Sequence, residues 1–266
     1  MSDPTHVVRL CHLYPYEMNI YADRGNIAVL ARRLEWRGMR LEVTGAGIGE
    51  SVIPGEHDLY YLGGGQDRDQ ALVAADMART KGDALVSAVE DGAAFLAVCG
   101  GYQLAGRGYV AVDGSPMPGI GLLDAETIAG DTRLIGDVLI DASLDGTTRE
   151  VAGFENHAGR THRGAGAVPL GTVIAGHGND GHDGTEGVVR LRAIGTYLHG
   201  PLLPKNPWVA DTLLGWALAH RTGEAVALPP LDDALEDRAR AVAAGRARGE
   251  RSERLIGRRA QAPAGP

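Results

Sequence analysis

Six apolar residues, Ala93 to Val98 (AAFLAV), run unbroken into Cys99, and Gly100-Gly101 follow before a helix-like stretch. A short segment that is apolar on both faces and cut off by glycines reads as a buried strand of a parallel sheet turning sharply into a helix. The pattern recurs along the first half. Val7 to Leu10 is a short strand candidate, and Asn26 to Trp36 (NIAVLARRLEW) has helical apolar spacing and ends at Gly38. Leu41 to Val43 reads as the next strand, and Asp58 to Leu62 (DLYYL) as a buried one running into Gly63-Gly64-Gly65. Gln70 to Val89 predicts one or two helices with a break near Gly82. Strands alternating with helices predict an α/β fold, a doubly wound and mostly parallel sheet with helices on both faces.

The second half is richer in turns. Ile135 to Ile140, Gly153 to His157 and Val188 to Ile194 are strand candidates, and Trp208 to His220 is an amphipathic helix. Pro229-Pro230 marks a boundary. The expected division is one large domain over 1–222, then a polar helix and a frayed tail over 223–266. There is no internal repeat.

Composition narrows the function. The 266 residues carry a net charge of −8, which argues against general nucleic-acid binding, since that needs clustered Lys and Arg. The one basic cluster, Arg246 to Arg259, is interrupted by Glu250 and Glu253. Two cysteines, Cys11 and Cys99, make neither a disulfide framework nor a structural zinc site, so no metal is expected. No run approaches the roughly 20 apolar residues that span a bilayer, and no leader pattern opens the chain. A cytoplasmic protein is expected. The 39 glycines fit a fold with many βα turns.

The setting of Cys99 carries the chemistry. A residue on a strand–turn–helix junction is exposed at the C-terminal edge of the sheet, where open α/β folds bind ligands. The N-terminus of the following helix favours a thiolate. The glycines after it let a backbone N–H point at a developing oxyanion. Cys11 has no such setting and reads as structural. Among nine histidines, His162, His177 and His182 lie in polar or Gly/Asp-rich turns and read as solvated. His199 follows an apolar β-type stretch and precedes Gly200-Pro201, as at a strand end; His157 is the other histidine of interest.

These residues resemble a family. Cys99-Gly100-Gly101-Tyr102-Gln103 is similar to the Cys-x-Gly-x-Gln elbow of class I glutamine amidotransferases. Tyr61-Leu62-Gly63-Gly64-Gly65-Gln66-Asp67 resembles the family's glycine loop. Gly153-Phe154-Glu155-Asn156-His157-Ala158-Gly159 is similar to a segment of its cobyric acid synthase branch. Thr196-Tyr197-Leu198-His199-Gly200-Pro201, with Asn206-Pro207 after it, resembles the catalytic histidine segment. The resemblance covers roughly residues 7 to 220. Within the branch it leans toward free-standing glutaminase subunits acting on lipid II. Leu13-Tyr14-Pro15, Met18-Asn19-Ile20-Tyr21, Asp23-Arg24-Gly25-Asn26 and Thr132-Arg133-Leu134-Ile135-Gly136 carry that leaning.

The resemblance implies a flavodoxin-like fold and a cysteine glutaminase. Cys99 would attack L-glutamine, and His199 would move the proton. Gly100 and one of Gly64 or Gly65 would hold the oxyanion. Arg133 would grip the α-carboxylate through its bidentate fork. Gln103 would line the pocket, and the segment around His157 would contact glutamine through its backbone. The implied partner is a Mur-ligase-like synthetase in a heterodimer, which would use ATP and Mg to amidate the D-glutamate of lipid II in peptidoglycan synthesis. This chain has no Walker-type loop and is assigned no cofactor. One departure stands out. The family's glutamate two residues after the histidine is Pro201 here, which implies a dyad or a carboxylate from elsewhere, and we expect the partner to supply it. The rival readings are an amidotransferase of the cobyric acid or cobyrinic acid diamide type, and a non-catalytic regulatory module of the same fold.

Overall fold

The computed structural model describes residues 6–19 and 24–250. Ile20, Tyr21, Asp23 and the tail from 251 onward lie outside the described residues. The first half forms β1 (Val7–Leu13), α1 (Arg24–Glu35), β2 (Arg40–Ala46), β3 (Leu59–Leu62), α2 (Asp67–Thr80), α3 (Gly82–Glu90), β4 (Ala94–Val98) and α4 (Gly100–Ala105). The second half adds β5 (Gly108–Val110), β6 (Pro116–Pro118), β7 (Ala125–Leu144), β8 (Thr147–Arg163), β9 (Gly171–Ala175) and β10 (Thr185–Glu186). It closes with β11 (Val188–Arg190), β12 (Ala193–Thr196), α5 (Pro207–Thr222) and α6 (Ala234–Ala247).

One six-stranded sheet runs in the order β11-β12-β4-β3-β1-β2. Every neighbouring pair is parallel except β11 and β12. The expected mostly parallel sheet is therefore present. Its central strands β3 and β4 are buried at every position, which is why they read as unbroken apolar runs. The helix break expected near Gly82 falls between α2 and α3.

The segment Val188 to Ile194, read as one strand, is a hairpin of β11 and β12. The chain reverses at Leu191, whose φ is 53°. Neither Gly nor Asn marks that turn, so the apolar run conceals it.

A second sheet, absent from the sequence reading, is built around β7 in the order β10-β9-β7-β5-β6, with β8 also on β7. The two short strands expected at 135–140 and 153–157 are parts of β7 and β8, a long antiparallel hairpin. Asp145-Gly146, both at positive φ, make its turn, as an Asp-Gly pair does when the turn must follow the strand twist. The β7–β8 register slips between Ala129 and Leu134, so residues 130–133 leave the ladder.

The α6 helix lies on β7 and β8, where Ala244 packs with Leu139 and Ala152. The segment before it is tied to the first sheet's helices by charge. Buried Arg33 of α1 donates to Asp211 of α5 at 2.7 Å and to Asp233 at 2.6 Å. Arg37 shares Asp211 and also donates to the carbonyl of Pro229. Among the described residues no helix is long and apolar enough to cross a membrane.

Candidate functional site

Strands β4 and β12 lie side by side and parallel, with Val98 opposite Thr196. Cys99 and His199 therefore leave the sheet from the same edge. The Cys99 amide extends the ladder by donating to the carbonyl of Thr196 at 2.8 Å. The chain then breaks direction at once, with Cys99 at φ 54° and ψ −112°. A non-glycine residue held there costs on the order of 1–3 kcal/mol and persists only where its surroundings enforce it. The surroundings are visible. A Cβ on Gly101 would stand 2.5 Å from the Leu62 carbonyl oxygen and 2.7 Å from that of Gly63. The α4 helix thus sits directly on the loop after β3, and only glycine allows that approach.

The same contact brings the two glycine segments together. A Cβ on Gly100 would stand 3.2 Å from the amide nitrogen of Gly65. Gly64 is buried one residue earlier. A small cleft opens here, lined by Cys99, Gly65, Gln103, Arg133 and His157 together with Gln70 and Tyr109. Five of the residues singled out from sequence thus share one cavity. Neither Gln70 nor Tyr109 is a site candidate from sequence; Gln70 lies one turn into the helix after the glycine loop, but a lone Gln on a helix carries no signal.

Gln103, buried in α4, accepts from the Gln70 amide at 2.7 Å and donates to the Tyr197 hydroxyl at 3.1 Å. Tyr197 also bonds Thr161 at 2.6 Å. The His157 ring lies flat on the Tyr197 ring, with 3.6 Å between centroids and 5° between planes. Its Nδ1 donates to the carbonyl of Gly159 at 2.8 Å. Gly159 cannot carry a side chain, because a Cβ there would meet Gln103 at 2.4 Å.

Arg133 stands at the end of the β7 bulge, out of register with the ladder, which is how bulges re-aim side chains beside sites. Its Nε donates to the Asn156 side-chain oxygen at 2.8 Å and its Nη2 to the Asn156 carbonyl at 2.9 Å. The guanidinium is thus oriented over the His157 segment, largely exposed at the mouth of the cleft.

His199 is buried, with 1% of its surface exposed. Burial pushes its imidazole down to about 4, and the nearby charges of His157 and Arg133 push the same way. A neutral imidazole at neutral pH is the form able to take a proton. Its main chain exchanges two hydrogen bonds with Phe154 of β8, at 2.8 and 3.2 Å. Pro201, where the family carries glutamate, packs on α1; a Cβ on Gly25 would meet its ring at 2.7 Å.

Two buried glutamates brace the neighbouring segments. Glu155 accepts from the His177 backbone and ring and from the Gly178 amide. The half-exposed His177, read as a solvated turn residue, is therefore a structural partner. Glu186 accepts from the Tyr197 amide at 2.6 Å and the Thr196 hydroxyl at 2.9 Å. Burial raises its carboxyl to about 8. Cys11 is buried in β1, and burial pushes its thiol up to about 12, which suits an inert core residue.

Residues 9–207 match the CobB/CobQ-like glutamine amidotransferase domain. The chain is 37% identical, over 94% of its length and 100% of the relative's, to the lipid II isoglutaminyl synthase (glutamine-hydrolyzing) subunit GatD of Staphylococcus aureus (strain N315). It is 34% identical to the cobyric acid synthase of Rhodobacter capsulatus, over 57% of this chain but 32% of that protein. A solved structure of PurLQS from Thermotoga maritima shares the fold, with a TM-score of 0.56 at 15% identity, covering 81% of this chain and 99% of that one.

Proposed function

Because the chain belongs to the CobB/CobQ-like glutamine amidotransferase family, we propose that it is the glutaminase subunit of a lipid II isoglutaminyl synthase. The observation that carries the reading is the site itself: a strained Cys99 beside the His199 strand end, with the Gly65 amide against Gly100. The full-length match to a free-standing subunit supports this over a cobyric acid enzyme, of which the chain spans about a third. Residues 1–222 would form the glutaminase domain, and the α6 helix within 223–266 would brace it.

In this mechanism His199 takes the Cys99 thiol proton as the sulfur attacks the side-chain carbonyl carbon of L-glutamine. The oxyanion is held by the N–H groups of Gly100 and Gly65. Arg133, at the mouth of the cleft, binds the α-carboxylate through its guanidinium. His199 returns the proton to the amide nitrogen, the C–N bond breaks, and ammonia leaves. Water then attacks the thioester, the C–S bond breaks, and glutamate and the thiol are regenerated. The ammonia passes to a Mur-ligase-like partner, which uses ATP and Mg to activate the D-glutamate carboxyl of lipid II in the cytoplasm. Pro201 supports a further expectation, that turnover rises when the partner is bound.

The test is to purify the chain with what binds it, supply glutamine, ATP and lipid II, and follow ammonia, glutamate and the mass of the lipid II stem. Amidation by the native complex is expected, with loss of both products in Cys99→Ala. Undiminished glutaminase activity in Cys99→Ala would overturn the catalytic reading. Glutaminase activity without lipid II amidation, in a complex whose partner modifies another acid, would overturn the acceptor.

A further inference from the structure

Resting on the assignment of His199 as the proton carrier, we propose that Asn206 is a positioning residue for it, fixing the His199 loop to the free edge of β8. The β8 strand pairs with β7 along one edge. Along the other, Phe154 exchanges two backbone hydrogen bonds with His199. Two residues back on the same edge, Ala152 is met by a side chain. The Asn206 Oδ1 accepts from the Ala152 amide at 3.0 Å, and Nδ2 donates to the Ala152 carbonyl at 2.8 Å. The carboxamide thereby imitates a peptide of a neighbouring strand and continues the pairing that His199 begins.

Asn206 is anchored on its own side as well. Its Nδ2 donates a second bond to the Leu202 carbonyl at 2.7 Å. Its backbone carbonyl accepts from Val209 and Ala210 at the start of α5. It is 2% exposed, so each lost bond would leave a buried group unpaired. One acceptor and two donors, in one plane on a single methylene, describe asparagine alone. Aspartate offers no donor, and glutamine is a carbon too long. A second asparagine works in parallel: Asn26 of α1 accepts from the Leu203 amide at 2.9 Å and donates to the Tyr61 hydroxyl at 3.1 Å.

The position of the imidazole follows from this. The ring is carried by a main chain that is held to one strand edge at His199 and at Asn206, and a shift of that main chain moves the ring with it. The cleft residues that would bind glutamine, Arg133 and Gln103, come from β7 and α4, and the Asn206 carboxamide bonds neither of them. Loosening Asn206 should therefore affect the chemical step rather than binding.

The experiment uses the full-length chain with its bound partner and compares Asn206→Asp, the same size without donors, with Asn206→Ala and His199→Ala. In the folded variants kcat for glutamine should fall about 10- to 100-fold, while KM stays within about threefold. The pH profile of Cys99 alkylation by iodoacetamide should move in the same direction as in His199→Ala. A purely structural role would lower the melting temperature and leave kcat and the alkylation profile of the folded enzyme unchanged, which would overturn the proposal. Failure of both Asn206 variants to fold would overturn it too, since that makes the residue a determinant of the fold. Full activity in His199→Ala would instead overturn the underlying assignment.

Discussion

At the residue scale, two buried titratable groups set opposite pH trends. His199 ordinarily titrates at 6.5 and is held at about 4 in the fold. Between those values the unfolded chain binds a proton that the folded chain refuses, so stability falls as pH drops through that window. The span corresponds to about 3 kcal/mol. Urea midpoints of the wild type and His199→Gln between pH 7 and pH 4.5 should show the wild type losing more. Glu186 runs the other way. Its carboxyl moves from 4.5 to about 8, so the folded chain keeps a proton that the unfolded chain releases, and stability is lost as pH rises from 4.5 toward 8. In Glu186→Gln the amide can still accept from Tyr197 and has no charge to bury. The variant should gain on the wild type by on the order of 2 kcal/mol between pH 5 and pH 8, read from thermal unfolding at each pH. Cys99 was legible at this scale because the turn it sits on is announced by the glycines after it. Glu186 was not, and Asn206 showed only as part of a motif, because a buried Asn or Glu looks like any surface one until its partners are placed.

At the element scale, the contact of α4 with the glycine loop orders the site. Gly101→Ala would put a methyl against two carbonyl oxygens and force α4 away from Leu62 and Gly63. A loss of about 2 kcal/mol in stability is expected, with a larger fall in glutaminase activity than in the melting temperature. Circular dichroism and an ammonia assay on the same samples would separate the two. Central strands β3 and β4 could be read from sequence because burial on both faces leaves only apolar residues. The β7–β8 hairpin could be read only in fragments, since one face meets solvent and glycines interrupt the alternation. The Arg133 bulge has no local signature at all; register is a relation between two strands, and one strand does not encode it.

At the scale of the whole molecule, the cleft is shared between two sheets: Cys99 and Gly65 come from one, Arg133 and His157 from the other. The C-terminal helix braces the second sheet, and the Arg33 pairs tie its approach to the first. Arg33→Ala would strip Asp233 of its guanidinium and leave Asp211 with Arg37 alone. A cost of about 3 kcal/mol is expected, measured by urea unfolding and least at low pH, where the carboxylates are protonated. The parallel sheet and the helix order were visible in the alternating pattern. The second sheet was not, because long antiparallel strands with polar faces look like turns when read one residue at a time.

The placement of β12 between β4 and β11 also bears on how the protein is made. Cys99 leaves the ribosome about a hundred residues before His199 does. Until β12 arrives, β4 has an open edge, and the Cys99 amide lacks the Thr196 carbonyl it pairs with in the finished sheet. The nascent chain therefore carries a thiol on an incomplete turn and an apolar strand edge able to pair with other chains. Glutaminase activity should switch on late and all at once during synthesis, and chains released before residue 196 should aggregate rather than hydrolyse glutamine slowly.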